Sequence, residues 1–109
     1  MISFRSPEQG KKMHIGVAWY RPEQWQRLRE ISTDNDVVEE TYAEWVRSAK
    51  KALRVMRRQG VDPVKIDVDV EELLRWCENQ HIPVDGEARS SYVVAKLREM
   101  SNKTDDQGD

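Results

Sequence analysis

Only two segments of this chain alternate in the two-residue rhythm of a strand, and that scarcity limits what it can fold into. The first runs over about residues 13–20. It places Ile15, Val17 and Trp19 on one face and His14, Gly16, Ala18 and Tyr20 on the other. The second runs from Val64 to Val70 and sets Val64, Ile66, Val68 and Val70 against Lys65, Asp67 and Asp69. That is the pattern of a strand with one buried and one wet face. A two-stranded ribbon is marginal unless helices pack on it, and it leaves edges that invite pairing.

Helices account for the rest. After the first strand, Pro22 suits the opening turn of a helix, where its missing N–H costs nothing. Trp25, Leu28 and Ile31 then give that helix, over about 22–32, an apolar stripe. A second helix is expected over about 36–59. Asp36 with Glu39 forms an acidic capping box at its start, and Gly60 stops it. Val38, Tyr42, Trp45, Ala49, Leu53 and Met56 recur along it at helical spacing. After the second strand, Asp69 caps a helix over about 70–80, with Val68 and Leu73 placed as a hydrophobic staple. Asp85 caps a fourth helix over about 86–100, which carries Tyr92, Val93, Leu97 and Met100.

The expected fold is therefore α+β in the order β-α-α-β-α-α, with four helices packed on a small two-stranded sheet. The exposed strand edges predict a homodimer that extends the sheet across a twofold axis, ahead of an arm from residues 1–12 that covers one edge. The 109 residues suit a single domain over 13–100, flanked by a flexible arm at 1–12 and a disordered polar tail at 101–109. Gly16 and Ala18 are small enough for something to approach the first strand closely. A packed helix is the commoner use of such residues, and a ligand is the rarer one.

Composition removes several function classes. Net charge is −2, so overall charge gives no argument for nucleic acid or an anionic membrane. No apolar run approaches the ~20 residues that span a bilayer. One Cys precludes an intrachain disulfide, and with no signal-peptide core at the N-terminus a cytoplasmic location is expected. There is no glycine-rich phosphate loop, nucleophile elbow or helical zinc motif, and no cofactor is expected. Cys77 and His81 stand four apart and are weak metal candidates, since a structural zinc site needs four ligands.

Two groups of residues remain as candidate surfaces. His14, Tyr20, Arg21, Trp25, Lys65, Asp67 and Arg89 combine acid, base and hydrogen-bonding types. They would form a ligand pocket if the sheet brought them together beside the turn between the first strand and first helix. Arg47, Lys50, Lys51, Arg54, Arg57 and Arg58 form a basic stripe on the second helix. A solvated helix face explains such a stripe, and so does a nucleic-acid surface. Trp19, Trp25, Trp45 and Trp76 lie on four different elements and belong either to a core or to a common cleft. The leading functional reading is a non-enzymatic protein-interaction or accessory module with an unidentified protein partner. The alternatives are a nucleic-acid-associated protein using the basic stripe, and a small-ligand binder or enzyme using the pocket.

Overall fold

The computed structural model describes residues 13–108, with side chains through Ser101; the arm expected at residues 1–12 lies outside them. The element order is β1 (Met13–Trp19), a 3-10 turn (Pro22–Gln24), α1 (Trp25–Ile31), α2 (Tyr42–Arg58), β2 (Val61–Asp67), α3 (Val70–Gln80) and α4 (Gly86–Gly108). Among the described residues four helices thus pack with a two-stranded sheet in the expected β-α-α-β-α-α order. The strands run parallel, joined by the long crossover that parallel pairing requires.

Three boundaries differ from the sequence expectation, each for a local reason. Helix α2 begins at Tyr42, not at 36, because Thr41 and Glu44 form the capping box. The Thr41 hydroxyl accepts from the Glu44 amide at 3.1 Å, and the Thr41 amide donates to the Glu44 carboxylate at 3.2 Å. Residues 34–38 instead make tight turns, with Val37 N–H donating to the Asp34 carbonyl. Strand β2 lies three residues earlier than expected, because Val70 already belongs to α3. Asp69 is extended, and its carboxylate accepts from the Glu71 and Glu72 amides, which fixes the helix start. Helix α4 runs on to Gly108 rather than ending at Met100. The polar segment after Ser101 contains no Pro, and no Gly before 108, to stop it.

The register pairs Gly16 with Val64, Ala18 with Ile66 and Trp19 with Asp67. Consequently the small-residue face of β1 joins the apolar face of β2. Ile66, Val68 and Tyr20 on that side are buried together with Trp25 and Leu28 of α1. Val70, Leu73 and Cys77 of α3, Val84 between the last two helices, and Ala88, Tyr92 and Val93 of α4 complete this core. Helix α4 crosses β1 closely, since a β-carbon built on Gly16 would lie 2.7 Å from Val93 Cγ1. A packed helix is thus what Gly16 accommodates. On the opposite face Trp19 meets Trp45 of α2, whose Ala49 and Leu53 are also buried. Gly60 ends α2 at φ +83, a conformation that glycine adopts without strain.

Candidate functional site

The outer edge of β1 forms the floor of a groove. Ile15, Gly16, Val17 and Ala18 line it consecutively, so residues of both faces of the strand contribute. One wall is made by Val37, Val38, Trp45 and Ala49. The other is made by the first turns of α4 through Arg89, Ser90, Val93 and Val94. The space measures about 510 Å³, and Tyr20, Trp25 and Leu28 close one end. Among the described residues no strand pairs with this edge of β1.

The two edges of the sheet differ in chemistry. Strand β2 carries Asp62, Pro63, Lys65 and Asp67, all of which discourage further pairing. Strand β1 reads MHIGVAW, with neither proline nor acidic or strongly basic residue. Four of the seven large exposed apolar side chains among the described residues belong to β1 or to the groove beside it. Met13 and Val37 are 67% and 69% exposed, and Ile15 and Val94 are exposed beside them. Apolar surface gathered around an open strand edge is characteristic of an interaction site.

Five aromatic rings cluster beside the groove, and three of them, Tyr20, Trp25 and Trp45, line it. Trp45 is their hub, with ring centroids 5.0 Å from Trp19, 5.3 Å from Tyr20, 5.4 Å from Trp25 and 5.5 Å from Tyr42. Polar handles tie the cluster down. The Tyr42 hydroxyl donates to the Tyr20 carbonyl at 2.8 Å, and Trp25 Nε1–H donates to the Glu39 carbonyl at 3.1 Å. Burial pushes the Tyr20 phenol up to about 12. Trp76 stands apart and packs edge-on to Tyr92 at 5.6 Å. Three of the four Trp therefore share one cluster, and two of them, Trp25 and Trp45, also line the groove.

The seven candidate pocket residues are divided by the fold. Tyr20, Trp25 and Arg89 line the groove. His14 lies at the start of β1, with Nδ1 2.9 Å from Asp62. Lys65 and Asp67 do not neighbour His14 and Tyr20 on a common face, as the sequence suggested. The register sets them opposite Val17 and Trp19. Lys65 Nζ sits 4.2 Å above the Trp19 ring, and Asp67 lies 3.3 Å from Arg21 Nε. Arg89 is already occupied. Its guanidinium makes a two-pronged pair with Asp34, both contacts at 2.9 Å, and donates to Ser32 Oγ at 3.2 Å. Asp34 also accepts from the Gly86 amide at the start of α4. This carboxylate was missed by sequence reasoning, because it sits in a run of five capping residues with nothing to single it out.

The Arg89 hydrogen bonds hold the Asp34 carboxyl below its ordinary value of 3.8. A depressed folded-state value means that this stabilisation is complete above the unfolded value and is lost as pH falls below it. Acid unfolding of the native chain should therefore begin below about pH 4. An Asp34→Asn variant should lose about 2 kcal/mol at pH 7 and show a flatter profile below pH 4, measured by urea melts across pH.

The remaining candidates stay apart. Cys77 is buried and unpaired, and burial pushes its thiol up. His81 is exposed and caps α3 in a left-handed conformation. No group of three or more metal-ligating side chains forms among the described residues. The six cations of α2 are all exposed on its outer side, away from the groove. No described helix is long and apolar enough to cross a membrane. No protein-family model, curated protein or solved structure matches the chain.

Proposed function

We propose that this chain is a non-enzymatic protein-interaction module that takes an extended segment of another protein along the outer edge of β1. The observation that carries this reading is the groove itself, whose floor is four consecutive apolar residues of a strand whose outer edge is unpaired among the described residues. An added strand obtains affinity from main-chain hydrogen bonds and specificity from alternate side chains. Here those side chains would meet Val37, Trp45 and Ala49 on one wall and Val93 and Val94 on the other. The partner segment is accordingly apolar, uncharged and strand-forming, and about five to seven residues match the length of β1.

Two other occupants fit less well. A twofold pairing of β1 with a second copy, centred on Gly16, would bring two α4 helices to about one strand spacing, ~5 Å, where packed helices need 8–10 Å. A small molecule finds few free polar groups to orient it, since Arg89 is committed to Asp34 and the Trp25 N–H to a carbonyl. The single buried, unpaired cysteine suits a reducing compartment.

The test is selection of displayed ten-residue peptides on the full chain, followed by amide hydrogen exchange with the best binder. Binding should slow exchange at the outward amides of Ile15–Ala18. Val94→Glu and Val37→Asp, both on exposed positions, should weaken it at least tenfold without lowering the melting temperature. Peptides that leave those amides unprotected, or that bind both variants equally, would refute the proposal.

A further inference from the structure

The groove leaves the far side of α2 unexplained. Arg47, Lys50, Lys51, Arg54, Arg57 and Arg58 make up six of the 18 Lys and Arg in the chain. At 100° per residue they fall within an arc of about 120°, and they run about 16 Å along the helix. All six are exposed, and none is ion-paired among the described residues. Elsewhere among the described residues the unpaired cations Arg29, Arg75 and Arg98 are scattered singly over three helices, and others are balanced. Arg27 pairs with Glu30 and Glu71, Lys96 with Glu72 and Glu99, and Arg89 with Asp34.

An ordinary solvated face does not need this arrangement. The helix dipole favours Arg57 and Arg58 in the last turn, but its effect fades within one turn. Arg47, Lys50 and Lys51 are therefore not explained by it. The stripe also contains six like-charge pairs at three- or four-residue spacing, from Arg47–Lys50 to Arg54–Arg58. Each such pair opposes the helix. Cations held at a cost and left without acidic partners are an electrostatic footprint for an external polyanion.

We infer that the outer face of α2 binds the phosphate backbone of duplex DNA without reading its sequence. A regularly charged polymer matches a stripe that continues over three turns, and a major groove about 12 Å wide admits a helix. An anionic membrane fits less well. Interfacial helices bury an apolar face in the headgroup region, whereas the apolar side of α2 is already spent on Ala49, Leu53 and the Trp45 cluster. Single strands fit less well because their binders stack bases on exposed rings, and no ring lies within the stripe.

The experiment is fluorescence anisotropy of a labelled 24-base-pair DNA duplex with the full chain, titrated from 50 to 200 mM salt. Binding should be micromolar at the low end. A log–log salt slope of about −4 is expected, the value for four to five neutralised phosphates, so that affinity falls roughly 200-fold over this range. Arg54→Glu, Arg57→Glu and Arg58→Glu together should reduce affinity at least 30-fold while the chain still melts cooperatively, a little lower because the helix dipole favours cations in that turn. If the reversal disturbs folding, the Arg→Gln triple variant serves instead and should lose at least tenfold. Val94→Glu, on the groove, should leave DNA binding unchanged. The inference fails if the duplex does not bind, if the stripe variants bind as well as the native chain, or if phosphatidylserine vesicles bind more tightly than the duplex.

Discussion

A Gly16→Ala variant should melt about 10 °C below the native chain. The added methyl would sit 2.7 Å from Val93 Cγ1, well inside van der Waals contact. Gly16 cannot move away, because it is locked into the ladder opposite Val64. Val93 cannot move either, because it is 3% exposed within the core. Overpacking of this kind costs about 2 kcal/mol, and each kcal/mol lowers the melting point of such a domain by about 4–8 °C. A cycle with Val93→Ala separates this cause from a general loss of strand quality. Val93→Ala alone leaves a cavity and destabilises. If contact is the cause, the double variant should be more stable than the sum of the two single losses. Simple additivity would show that the two sites are independent.

Trp45→Ala should be the more damaging change, with a loss of about 3 kcal/mol or more. Its ring packs against Trp19 of β1, Tyr20 just after it, Trp25 of α1 and Tyr42 of its own helix, so truncation loosens the joint between three elements. Aromatic pairs of this geometry add about 0.5–1.5 kcal/mol each beyond burial. Total stability for such domains is about 5–15 kcal/mol, so the variant should approach partial unfolding at 37 °C. Trp45→Phe keeps a ring at the hub and should recover more than half of the loss in urea melts. A Trp45→Ala variant as stable as the native chain would mean that the cluster is a surface ornament rather than a structural joint.

Much of the architecture was legible because its signals are local. Asp69 fixes the start of α3, Gly60 the end of α2, and Pro22 the turn after β1. Each acts through its own backbone or its nearest neighbours. The start of α2 was misread because two capping signatures compete, Asp36 with Glu39 and Thr41 with Glu44. Tertiary structure decides between them. The segment before Thr41 is tied across the fold, through Thr33 N–H to the Val84 carbonyl and Asp34 to Arg89. The pocket residues were misgrouped for a related reason. Strand alternation gives two faces for each strand but not which face joins which, and a one-residue change of register would reverse the pairing. The groove could not be read from sequence either. It exists because, among the described residues, β1 has β2 on one side only, and strand order is not a local property of sequence.

The parallel ladder also has a consequence for how the chain is made. Each β1 residue pairs with one 48 positions later, as Met13 does with Val61. At about 5–20 residues per second, β1 leaves the ribosome roughly two to ten seconds before its partner exists. Throughout that interval an uncharged, apolar strand has neither edge satisfied. Local contacts cannot shorten the wait, since the intervening α1 and α2 must be in place before the crossover closes. Aggregation during synthesis, rather than loss of the finished fold, should therefore be the first penalty of any change that makes β1 more hydrophobic.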